Sequence, residues 1–166
     1  MQRARGLWFL CALLSSHVPG TELIELAAPP FLVGPSVARA ATGNTYSYRA
    51  TDPLAHVAMQ ITVVEIPSSL AAPATQACAD AFLAELSKRG GELFVQRETH
   101  PLPTGSLPLD AWRWTRSAPP ADMQTGVVGC AMRDQQFIAI TFEDAIQSAA
   151  HHFPAIRASL AGLRLK

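Results

Sequence analysis

Between Val57 and Ile66 the chain alternates. Val57, Met59, Ile61 and Val63 fall on one face, and Ala58, Gln60 and Thr62 on the other. A two-residue period of this kind fits only a strand with one face against a core, so the domain around it contains a sheet. Tyr46 to Ala50 is expected as a shorter strand before it, ended by a turn at Asp52-Pro53. Four more strands follow, at Leu93 to Glu98, Leu109 to Arg116, Gly126 to Arg133 and Gln136 to Phe142. Their connections are short, and the tight Asp134-Gln135 turn marks a hairpin, so neighbours should run antiparallel.

Two segments carry the other period. After Pro67-Ser68-Ser69, which offers capping hydroxyls, a helix is expected to run with Pro73 in its first turn to about Arg89, where Gly90-Gly91 supplies the stop. Cys78, Phe82 and Leu86 lie four apart along it, with Ala79 and Leu83 beside them. At the other end Phe153, Ile156, Leu160 and Leu163 mark a second amphipathic helix, with Pro154 expected in its first turn because deeper it would break the hydrogen-bond ladder. The order strand, strand, helix, four strands, helix reads as an α+β two-layer sandwich, an antiparallel sheet with both helices on one face.

The front of the chain reads differently. Arg3 and Arg5 precede an uncharged apolar run from Leu7 to Leu14, which has the length of a signal-peptide core and is too short for a membrane span of about 20 residues. A second apolar stretch, Leu23 to Val37, is interrupted by Glu25, Pro29, Pro30 and Pro35. Ala38-Arg39-Ala40 offers small residues for a late cleavage that would leave Ala41 at the mature N-terminus; an early site near Ser15 or Ser16 competes with it. Residues 1–40 are therefore expected as a signal peptide or leader and 41–166 as one domain, periplasmic or secreted, touching a membrane only if the leader is uncleaved. Cys11 lacks the small residues that precede a lipidated cysteine, and no arginine pair suggests twin-arginine export.

Lys plus Arg number 13 and Asp plus Glu 13, with no like-charged run. This balance gives no basis for a nucleic-acid partner, which needs a concentrated basic patch. Cys78 and Cys130, the cysteines beyond the leader, sit on the first helix stripe and in a central strand. They are either a disulfide or two separate buried thiols, and neither has a local base or redox-spaced partner that would make it a nucleophile. His151 and His152 are adjacent and so diverge on a helix, and with His56 and His100 in loops no metal-ligand spacing arises. Glu143-Asp144 reads as a loop or helix-start feature. Trp112 and Trp114 share one strand face; they are core if a helix covers them and a candidate binding surface if none does.

The element order, with the ending Phe153-Pro154-Ala155-Ile156-Arg157-Ala158-Ser159-Leu160, resembles the PsbP-like superfamily, which includes small exported bacterial proteins of the DcrB type. The resemblance spans about Tyr46 to Lys166. It implies a non-enzymatic binding or assembly role with no active site to carry over. Nucleotide loops and the glycine-flanked serine of hydrolases are missing from the sequence. The expectation is therefore a non-catalytic exported module, without cofactor or metal, acting on a protein partner in the cell envelope. The alternative is an immunity or inhibitor protein against a secreted toxin, with a small enzyme using Cys130 or a histidine as a third reading.

Overall fold

The computed structural model describes residues 23–69, 74–105, 107–117 and 123–166. Ile24–Glu25 (β1), Leu32–Ala40 (β2), Gly43–Ala50 (β3) and Ala58–Glu65 (β4) precede a helix at Thr75–Ser87 (α1). Glu92–Arg97 (β5), Asp110–Ser117 (β6), Gln124–Arg133 (β7) and Gln136–Ala145 (β8) follow, then Ile146–Leu160 (α2) and Arg164–Leu165 (β9). Seven strands form one antiparallel sheet in the order β2-β3-β4-β8-β7-β6-β5. It consists of two meanders, β2 to β4 and β5 to β8, joined where β4 pairs with β8. The protein is thus α+β on an antiparallel sheet, as its periodicities require.

The helices are placed differently from expectation. Paired residues across a sheet share a face, so the registers assign every side chain. Met59, Ile61, Val127, Ile138, Ile140 and Phe142 point to one side and meet Phe153, Ile156 and Leu160 of α2. Trp112, Val128, Cys130, Phe137 and Ala139 point to the other and meet Cys78 and Ala79 of α1. Each helix therefore forms a two-layer packing with its own face of the sheet. The physical reason lies in β7 and β8, whose burial is nearly continuous from Thr125 to Ala131 and from Phe137 to Ile140. Strands apolar on both sides need cover on both sides.

Two further differences concern boundaries. The segment 23–40, assigned by its sequence to the leader, holds β1 and β2, with Ile24 and Leu32 buried in the main core. Its prolines and glycine masked the alternation: the β2–β3 register breaks between Val33 and Ser36, where the Gly34-Pro35 bond is cis. The residues of the basic and apolar leader core, Arg3 to Leu14, lie outside the described part of the chain. Pro154 is not in the first turn of α2 but in its interior, since the helix begins at Ile146. An internal proline costs about 3 kcal/mol. Burying Phe153, Ile156 and Leu160 at about 1.5–3 kcal/mol each outweighs that. α1 starts at Thr75 without a side-chain cap, and the Thr75 hydroxyl donates instead to Asp110.

One glycine is set by packing. A Cβ on Gly126 would stand 2.4 Å from Cζ2 of Trp114 and 2.6 Å from the Phe142 carbonyl oxygen. Gly126→Ala should therefore destabilise the fold by about 1–3 kcal/mol through overpacking, measured as a lower urea midpoint at unchanged slope. An unchanged midpoint would mean that the Trp114 indole yields freely.

Candidate functional site

The residues singled out by sequence fall into three groups. Cys78 and Cys130 meet in a disulfide, S–S 2.12 Å and Cα–Cα 6.5 Å, tying α1 to β7. Trp112 and Trp114 are 4% and 1% exposed. α1 covers their face, Phe82 lying 6.5 Å from Trp114 between ring centroids, so they belong to the core and offer no binding surface. Among the histidines, Nδ1 of His152 hydrogen-bonds Asp144 Oδ2 at 2.7 Å, and its ring packs on Phe31 at 4.4 Å. Asp144 is buried and also accepts the Ala145 backbone N–H. This pair fastens the β1–β2 connection to α2; His56, His100 and His151 are exposed. Among the described residues no group of three His, Cys, Asp or Glu side chains could hold a metal ion, and no helix is long and apolar enough to cross a membrane.

Among the described residues, what the fold presents is an open sheet edge. A seven-stranded open sheet has two edge strands, here β2 and β5. Edge strands expose unpaired backbone groups to any passing strand, and proteins commonly blunt them with proline, bulges or charge. β2 is blunted: Pro35 has no N–H to offer, and the ladder slips beside it. β5 is not. Glu92 to Arg97 pair in unbroken register with Ser117 to Trp112, carry no proline or lysine, and expose Phe94 to 58% and Val95 to 45%. Phe94 and Val95 lie on opposite faces of the strand, so the apolar exposure brackets the edge rather than either sheet face.

A polar cleft adjoins the C-terminal end of this edge, lined by Gln96, Thr99 and His100 together with Glu98, Arg113 and Arg157. Both oxygens of Glu98 accept from Nη2 of Arg157, at 2.6 and 2.8 Å, and Oε1 also accepts from Nε of Arg113 at 3.3 Å. One carboxylate thus fixes two guanidiniums, leaving the cleft with net positive charge. On the other face Arg97 lies 5.7 Å from the Trp112 ring and bonds Asp110 at 3.3 Å. Sequence reasoning placed Leu93 to Glu98 in the sheet but could not see that this strand is an edge, because strand order depends on the non-local β4–β8 pairing. No family model and no curated protein matches the chain.

Proposed function

We propose that this is an exported, non-catalytic binding or assembly module of the cell envelope, periplasmic or secreted, which takes up a protein partner by strand addition at β5. The observation carrying this reading is the contrast between the two edges, one interrupted at Pro35 and one uninterrupted with Phe94 and Val95 exposed. Main-chain pairing supplies affinity in such complexes, and alternate side chains supply selectivity. The Cys78–Cys130 disulfide suits an oxidising compartment, and the Arg3, Arg5 and Leu7–Leu14 leader supplies the route. Cleavage near Ser15 or Ser16 accords with this reading, because cleavage after Ala40 would remove β1 and β2. The resemblance to the PsbP-like superfamily is carried by the order of elements from β3 to α2 and by the Phe153 to Leu160 ending, with β1, β2 and β9 outside that order.

The test is site-specific photocrosslinking in intact cells, with the reactive side chain placed at Val95 and, as control, at exposed Leu54. Adducts to a protein of the envelope at position 95 and not at 54 are expected. Absence of any adduct at 95, with normal fitness of a strain lacking the gene, would remove the proposal.

A further inference from the structure

We propose that the partner occupying the β5 edge is a second copy of this chain, making one continuous antiparallel sheet across a two-fold axis centred on Phe94. The inference rests on the strand-addition reading above and names its partner. Two antiparallel edges related by a two-fold normal to the sheet keep their faces, so only residues sharing a face can stand opposite one another. This restricts the register to a few choices, and the order of residues in β5 selects among them.

With Phe94 opposite its own counterpart, Leu93 faces Val95 of the other copy on the second face, and Glu92 faces Gln96 on the first. All three apolar residues of the edge then meet apolar residues, and an aromatic cross-strand pair stands at the centre. The charges agree as well. Gln96 is paired in β6 with Arg113, so Glu92 of the second copy lies on the same face as Arg113, beside the cleft where Arg113 and Arg157 share the single carboxylate of Glu98. Two-fold symmetry repeats this placement of opposite charges on the other side of the axis. Centring on Val95 instead opposes Glu92 to Glu98 and Leu93 to Arg97, and centring on Leu93 opposes Phe94 to Glu92. Both place charge against charge or charge against apolar surface. β2 provides no equivalent match, because Pro35 interrupts its outer edge.

The experiment uses the purified exported protein with its disulfide intact. Its mass in solution is determined by sedimentation, across micromolar to millimolar concentration, against the intact chain mass. The wild type should sediment at twice the chain mass. Phe94→Lys and Phe94→Glu, at an exposed position, should each sediment as folded monomers with wild-type circular dichroism. Mixed in equal amounts they should recover the dimer, because only the Phe94-centred register sets the two new charges face to face. As an independent check of register, Phe94→Cys should crosslink between copies on mild oxidation, and Val95→Cys should not. A wild type that is monomeric throughout, a dimer indifferent to Phe94→Lys, or crosslinking at 95 in preference to 94 would each overturn the proposal. A monomer that still yields Val95 adducts to another envelope protein overturns the self-pairing alone and leaves the binding reading standing. Absence of both takes down both.

Discussion

Reducing the bond between Cys78 and Cys130 should lower the unfolding free energy by about 4 kcal/mol, the chain-entropy value for a crosslink spanning 52 residues. The position of the bond enlarges its importance. α1 buries only Cys78, Ala79 and Leu86 completely; beside them stand the half-buried Phe82, the Thr75 hydroxyl that donates to Asp110 and, just beyond the C-terminus, the carbonyls of Arg89 and Gly90, which accept from the Arg116 guanidinium. A helix attached by so few side chains depends on the covalent link. Urea unfolding with and without reductant, and of a Cys78→Ala, Cys130→Ala double variant, measures the effect. In thermal terms a loss of this size corresponds to a fall on the order of 10–20 °C. A midpoint insensitive to reductant, with intact mass showing both thiols alkylated only after reduction, would mean that packing alone holds α1.

The second large effect concerns the front of the domain. A chain starting at Ala41 should fail to unfold cooperatively, whereas one starting at Leu23 should do so. Removing residues 23–40 strips β2 from β3 along the register from Leu32↔Ala50 to Ala40↔Gly43. It also uncovers Tyr46 and Tyr48 and deletes the buried side chains of Ile24 and Leu32. Those two residues alone carry about 1.5–3 kcal/mol each, set against a net stability of about 5–15 kcal/mol for a domain. Comparison of the two chains by denaturant titration and near-ultraviolet circular dichroism decides the matter. Equal midpoints would show that the sheet is complete without β2.

Local periodicity made much of this fold legible. Val57 to Val63 announced β4, the Cys78, Phe82 and Leu86 spacing announced α1, and Asp134-Gln135 marked the β7–β8 hairpin, where Asp134 adopts the left-handed backbone that aspartate tolerates. The same spacing placed Cys78 and Cys130 where they could meet, leaving open whether they did. Periodicity identifies which side of an element is buried but not which sheet face buries it, and that is why the helices were expected together. The runs Val127-Val128 and Ile138-Ala139-Ile140, apolar on consecutive residues, held the correction. Trp112 and Trp114 followed from it, since a helix on their face makes them core. Glu143-Asp144 read as a loop or helix-start feature, and α2 does begin at Ile146, but the Asp144–His152 pair was illegible because the helix was placed by its Phe153, Ile156 and Leu160 stripe, which left His152 outside it. The β5 edge was illegible for a different reason: its exposure results from β4 pairing with β8, a contact between segments 71 or more residues apart.

Finally, the described chain closes on itself. Ile24 and Glu25 pair with Leu165 and Arg164, and the Lys166 N–H donates to the Leu23 carbonyl. Segments separated by nearly the whole described chain are thereby clasped at one seam, so a backbone nick in a surface loop between them would leave the two pieces buttoned together.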